Sequence, residues 1–173
     1  MKDLNALTHY WPSPIGLLGL TAEGRALTRI FFRPAGAPAE TAEAPEPGEL
    51  FQRAFRQLAE YFAGRRQSFS LPLAPAGTEF QRRVWAALGD IPYGRTICYE
   101  TLALRAGSPK AFRAAGQACR VNPLSIVIPC HRVVGKDGRL TGFASGLAAK
   151  DFLLRLEGAA AVGGGGDTSR QEQ

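Results

Sequence analysis

The chain has 173 residues, 45% apolar and 21% charged, a composition that suits one globular domain or two small ones packed together. No apolar run reaches the roughly 20 residues that a bilayer-spanning helix needs, and Met1 to Tyr10 lack the features of a secretory signal, so a cytoplasmic protein with no membrane partner is expected. The net charge of +6 is uneven: residues 1–77 hold eight basic and seven acidic side chains, residues 78–158 twelve and six, and the remainder sums to −1. A basic half of this kind suits a phosphate backbone, although a merely solubilising surface looks the same by charge alone.

Cys98, Cys119 and Cys130 cannot all pair within one chain, and none stands in a Cys-x-x-Cys. With only His9 and His131 available, no metal-ligand spacing appears, so free thiols and no metal are expected.

Taken in chain order, Ile15–Leu20 and Ala26–Phe32 flank the turn Ala22-Glu23-Gly24-Arg25 and read as a hairpin in a small sheet. Residues 34–48 are a run of Ala, Pro and Glu, read as a flexible loop. From Glu49, Phe51, Phe55, Leu58 and Phe62 form one helical stripe that reads as core, ended by Gly64. Residues 71–77 carry two prolines and read as an extended linker. Thr78-Glu79-Phe80-Gln81 has the pattern of a capping box opening a helix through Leu88. Tyr99 to Ala106 is helical in pattern and closed by Gly107. Ser108-Pro109 then supplies an N-cap and a first-turn proline for a further helix to about Val121. Two short helices joined this tightly form a helix-turn-helix, which can meet DNA or simply be a helical hairpin. Ser125–Ile128 reads as a buried strand, Lys136–Arg139 as a hairpin turn, 142–146 as a small-residue loop and Leu147–Glu157 as a last helix. The boundaries implied are an N-terminal α+β subdomain over 1–77, a C-terminal subdomain over 78–158 and a disordered tail over 159–173.

Cys130 follows the apolar run and Pro129, and precedes His131-Arg132-Val133-Val134. A thiol attacks as thiolate, and neighbouring histidine and cations lower its pKa. Adjacent residues of an extended segment point opposite ways, so His131 need not touch Cys130, and a water can bridge them. A buried cysteine beside a surface histidine is the plainer alternative.

Ile128-Pro129-Cys130-His131-Arg132-Val133-Val134 resembles the active-site signature of the O6-alkylguanine-DNA alkyltransferases. Phe80-Gln81-Arg82-Arg83-Val84-Trp85, Ile91-Pro92-Tyr93-Gly94, Tyr99–Ala103, Ala106–Ala111, Arg113-Ala114, Asn122-Pro123, Leu147–Lys150 and Leu153–Gly158 extend the resemblance in order through the second half. The first half resembles the family only loosely. The resemblance implies an α+β fold: a small antiparallel-sheet N-terminal subdomain packed on a mainly helical C-terminal one with a helix-turn-helix.

It also implies roles. Cys130 matches the alkyl acceptor, His131 its general base through a water, Glu157 the carboxylate orienting the histidine, and Asn122 the brace of the active-site turn. Tyr99 matches the residue that assists nucleotide rotation, and Arg113 the finger that fills the vacated stack. The carbonyls of Cys130 and Val133 and the N–H of Ala144 match contacts to the base. Phe143, Glu100, Ser108 and Lys136 belong to the same substrate and DNA surface. The implied substrate is double-stranded DNA carrying O6-alkylguanine, with O4-alkylthymine left open as a second. The implied protein is a monomer without cofactor that reacts once. Phe143 and Ala144 depart from the tyrosine and the small hydroxyl or glycine residue of many members, which bears on which alkyl groups fit. Relatives that bind the lesion without repair have tryptophan at the acceptor position, where this chain has Cys130. Two other classes remain open on the residues: a binding protein that uses only the helix-turn-helix, and a Cys-His-Glu hydrolase that would turn over.

Overall fold

The computed structural model describes residues 6–33 and 46–159. Most of the expected loop (34–45) and nearly all of the expected tail (160–173) lie outside the described residues. Ala159 is described, and it is buried against Val134 and Leu154 rather than free.

Strands β1 (Ala6–Ser13), β2 (Gly16–Glu23) and β3 (Ala26–Phe32) form an antiparallel sheet in that order. The expected hairpin is β2–β3, turning at Gly24 with φ +58°. Strand β1 is additional. Only His9 of its eight residues is buried, so it carries no apolar alternation for a sequence reading to find. The outer edge of β3 is covered. Leu27 exchanges backbone hydrogen bonds with the proline-bearing linker (to Pro72 O and from Ala74 N, both 2.9 Å). Ile30 does the same with the C-terminal half (to Pro123 O, 2.7 Å, and from Ser125 N, 3.2 Å).

Helix α1 (Glu49–Phe62) buries Phe51, Ala54, Gln57, Leu58 and Tyr61, while Phe55 and Phe62 lie under Trp11 at its margin. In α2 (Glu79–Gly89) both halves of the capping box form: Gln81 N donates to Thr78 Oγ1 (3.2 Å) and Thr78 N to Gln81 Oε1 (2.9 Å). Helices α3 (Tyr99–Arg105) and α4 (Phe112–Arg120) make the helix-turn-helix, with α2 packed behind both. Trp85 on α2 donates to Ala118 O of α4 at 2.9 Å.

Two expectations are corrected. Helix α4 begins at Phe112, not at Ser108-Pro109: Ser108 N donates to Ala103 O and Ala111 N to Ser108 O, which makes residues 108–111 a turn. The fixed φ of proline suits such a turn as well as a first helical turn. Ser125–Ile128 is not a strand either. Ile126 has φ +74°, Ile128 N donates to Leu124 O at 2.8 Å, and the chain reverses there.

Residues Cys130–Arg132 then form a single 3-10 turn, followed by β5 (Val133–Val134), which pairs in parallel with β4 (Ile97–Cys98). Helix α5 (Leu147–Leu156) closes the described chain. Residues 136–139 form a turn, but no strand follows it. One continuous core runs from Leu18 and Leu20 of the sheet through Leu58 and Leu88 to Val133 and Leu153. No helix among the described residues is long and apolar enough to cross a membrane.

Candidate active site

The reversal at 126–127 delivers Pro129 and Cys130 to the interior, and Asn122 holds its two ends. The Asn122 amide donates to Ile128 O (2.8 Å) and its Oδ1 accepts from Leu124 N (3.0 Å). Ile126 is β-branched in a left-handed conformation, a costly arrangement that such a brace helps to hold. Cys130 is 6% exposed. Burial pushes its thiol pKa up, against the Asn122 amide, the Lys150 charge and the backbone N–H groups of Cys130 and His131, all of which favour the thiolate. The lowered pKa expected from a neighbouring histidine and cations is therefore not the resting state.

The 3-10 turn sends His131 inward, where it is fully buried. His131 Nε2 lies 2.7 Å from Glu157 Oε1, just after α5. A carboxylate only accepts, so Nε2 carries the proton and Nδ1 presents its lone pair. That Nδ1 has no hydrogen-bond partner among the described residues. Burial holds the imidazole pKa below its ordinary value despite Glu157, so the ring is neutral near pH 7.

Glu157 is held by further donors. Arg132 gives it a fork, Nε to Oε2 at 2.8 Å and an NH2 to Oε1 at 3.0 Å, while its other amino group donates to Ile91 O at 2.5 Å. Gly94 N donates to Oε2 at 3.1 Å, and Tyr61 on α1 donates its hydroxyl to Oε1 at 2.6 Å. Gly94 has φ +72°, and a Cβ there would sit 2.8 Å from the Glu157 carbonyl, so the close approach needs glycine. Although burial opposes it, His131, Arg132 and Tyr61 together hold Glu157 down to about 2.

The carbonyls expected to face a base are partly engaged. Val133 N donates to Cys130 O, and the buried Lys150 donates to Val133 O (2.5 Å) and Thr141 O (2.7 Å). Each carbonyl keeps a second acceptor direction. Thr141 in turn donates to the Tyr99 hydroxyl at 3.2 Å, so Lys150 links β5, the 135–146 loop and α3.

Outward of this lies a cavity of about 390 Å³ lined by Tyr99, Glu100, Phe112, Arg113, Gly116, Gly135, Lys136 and Thr141. It brings together Tyr99, Glu100, Arg113 and Lys136 from three separate stretches of sequence. Arg113 is exposed in the first turn of α4, its guanidinium 5.7 Å from the Phe112 ring. Ser108 is half-buried in the α3–α4 turn and is not among the lining residues. Ala144 is exposed and lines a neighbouring cleft with Asn122 and Ser125, while Phe143 packs edge-on against Phe32 of β3.

Sequence reasoning gave no role to Tyr61, Arg132, Lys150 or Gly94. Arg132 lies inside the signature, and a cation beside a histidine and facing a distant carboxylate was the available signal. Lys150 lies in a stretch that resembles the family, yet a lysine in a helix looks like surface; Tyr61 carried no signal, because a tyrosine in a helix looks like core margin. A second thiol, Cys119 on α4, lies in the field of Cys130 and Lys150, and burial pushes it up to about 12.

Comparison with known proteins agrees with this geometry. Residues 7–75 match the family model described as 6-O-methylguanine DNA methyltransferase, ribonuclease-like domain, and residues 79–159 match its DNA binding domain. The methylated-DNA–protein-cysteine methyltransferase of Methanosarcina barkeri is 49% identical over 146 residues, 84% of this chain and 92% of its own. The constitutive enzyme of that name from Bacillus subtilis is 45% identical over 154 residues, 84% of this chain and 91% of its own. Among solved structures, the Mycobacterium tuberculosis O6-methylguanine methyltransferase superposes with a TM-score of 0.79 at 43% identity, covering 88% of this chain and 93% of that one. The M. tuberculosis OGT in complex with DNA superposes with a TM-score of 0.77 at 41% identity, covering 92% and 98%.

Proposed function

The chain belongs to the 6-O-methylguanine DNA methyltransferase family, and from that premise we propose that Cys130 is the residue that takes the alkyl group. The protein binds DNA and repairs it by transferring an alkyl group from a damaged base to a cysteine of its own. Its substrate is duplex DNA carrying O6-alkylguanine, and it acts as a monomer. The observation that carries the assignment is the buried Glu157–His131 pair, whose Nδ1 has no partner among the described residues, on the residue that follows the buried Cys130.

The chemistry follows from that arrangement. A base in a duplex hides its O6, so the nucleotide rotates out, Arg113 fills the gap and Tyr99 bounds the space that receives the base. The Cys130 thiol gives its proton through a water to His131 Nδ1. The sulfur attacks the alkyl carbon, the S–C bond forms as the C–O6 bond breaks, and the electron pair stays on the base. A proton returned to the base leaves ordinary guanine, so the net change moves one alkyl group to sulfur and one proton to guanine. Glu157 offsets the charge that develops on the imidazole. The thioether has no easy hydrolysis, so each molecule reacts once. A thiol kept protonated by burial is protected from other electrophiles until a base occupies the site.

The test is mass spectrometry after incubation with a duplex containing O6-methylguanine. The expected result is one methyl group per molecule, on Cys130 and not on Cys98 or Cys119. Methyl on another residue, or repeated turnover by one molecule, overturns the assignment.

A further inference from the structure

Among the described residues, one side chain of the N-terminal half hydrogen-bonds to the Glu157–His131 pair. Tyr61, near the end of α1, is fully buried, donates to Glu157 Oε1 at 2.6 Å and lies 3.5 Å from His131 Nε2. Its ring is packed by Phe62, Phe69 and Tyr93, with centroids 5.5, 5.4 and 6.2 Å away. That packing alone would be served by phenylalanine. The hydroxyl is what sets this residue apart.

We propose that Tyr61 is a positioning residue for the alkyl transfer: its hydroxyl keeps His131 neutral with the free lone pair on Nδ1, the nitrogen that serves Cys130. The inference rests on the reading of His131 as the general base. The tyrosine proton lies on the line to the carboxylate, so toward Nε2 the phenol oxygen can only accept. Both groups facing Nε2, Glu157 Oε1 and Tyr61 Oη, are then acceptors. That leaves the ring proton on Nε2 and the lone pair on Nδ1. The second contact is long and weak. The stronger effect acts through Glu157, because every donor on Oε1 draws away negative charge that would otherwise stabilise an imidazolium.

The groups facing His131 account for the balance. Glu157 raises its pKa, while Arg132 beside it, Lys150 on α5 and burial lower it. Tyr61 from α1 offsets Glu157 directly, and Tyr93 reaches the imidazole only through Glu157 and Arg132. Burial and the adjacent carboxylate hold the Tyr61 phenol far above its ordinary pKa, so it stays protonated and remains a donor wherever the protein is folded.

The test uses Tyr61→Phe, which keeps the ring and removes the hydroxyl. Single-turnover transfer from free O6-benzylguanine to Cys130 is followed by intact mass across pH, so that DNA binding does not enter. The rate falls in acid as His131 becomes charged. Without the hydroxyl that limb moves up by about half to one pH unit, which is roughly three- to tenfold slower on the limb, while rates at pH 8.5 stay within about twofold. A residue that only fills space would lower the rate by one factor at every pH, and that result, or no change, overturns the proposal.

A second measurement needs no variant. The chain has only two histidines, so the ring nitrogens of His131 can be identified in 15N-histidine-labelled wild type. A neutral ring protonated at Nε2 is expected at pH 7. A ring protonated at Nδ1, or an imidazolium, overturns the proposal. Wild type that takes no alkyl group on Cys130 instead defeats the reading of the site itself.

Discussion

Glu157 accepts five hydrogen bonds, from Tyr61, His131, Gly94 and twice from Arg132, in a place where its side chain has no exposure. A buried charge is tolerable only when it is this fully satisfied. The consequence is an acid-labile fold. Glu157 is depressed from 4.5 to about 2, so its contribution is fully present above 4.5 and is lost as pH falls toward 2. His131 is held below its ordinary 6.5, so the unfolded chain takes up a proton that the folded one refuses, and stability also falls from 6.5 downward. Glu157→Gln should cost about 3–5 kcal/mol at pH 7, the usual loss when one partner of a buried pair is removed. In thermal melts the gap from wild type should narrow steadily between pH 5 and pH 3, and a gap that does not change with pH would contradict this account. Cys130, His131 and Glu157 were legible because the signature carries the first two and the end of the last helix the third. Tyr61 was not legible: a hydroxyl on a core helix shows its purpose only when the fold brings Glu157 to it from 96 residues away.

In the proposed reading, recognition turns on helix α4. Starting at Phe112 rather than at Ser108 makes Arg113 its second residue, placed at the tip and free of carboxylate partners among the described residues. A cation that fills a vacated base stack should matter for duplex DNA and not for a free base. Arg113→Ala should therefore slow single-turnover transfer from saturating duplex about tenfold, a loss of about 1.4 kcal/mol, while leaving transfer from free O6-benzylguanine unchanged. Arg113→Lys should recover only part, since an ammonium cannot stack as a guanidinium does. Wild-type rates on saturated duplex in the alanine variant would reduce Arg113 to a docking contact. Local chemistry made α2 readable, because Thr78 and Gln81 specify its start within four residues. Strand β1, the reversal at Ile126 and the β4–β5 pair were unreadable for the opposite reason. Each depends on partners far along the chain, and a short apolar run such as Ser125–Ile128 looks the same whether it extends or turns.

At the scale of the whole molecule the two halves divide the work without being separate. The sheet shares one core with the helices and pairs its β3 edge with the 123–125 loop, so it sets the active-site turn from behind. The charge lies on the other half. Several surface cations there are matched, such as Arg83 by Glu79 and Arg155 by Asp151. Arg82, Arg95, Arg105, Lys110, Arg113, Arg120 and Lys136 are exposed with no carboxylate within salt-bridge distance among the described residues. If these supply the phosphate contacts, at most about seven counterion equivalents are released on binding. The slope of log affinity against log salt should then be negative and no steeper than about −6, at roughly −0.9 per contact. Cys130 is buried and cannot reach a phosphate, so Cys130→Ser should abolish transfer while keeping affinity within about twofold and the same slope. Fluorescence anisotropy over a salt series measures both. A flat series would remove the basic half from the interface. A serine variant that cannot bind would mean that affinity comes from the pocket, and that rotation of the base, rather than docking on the backbone, holds the complex together.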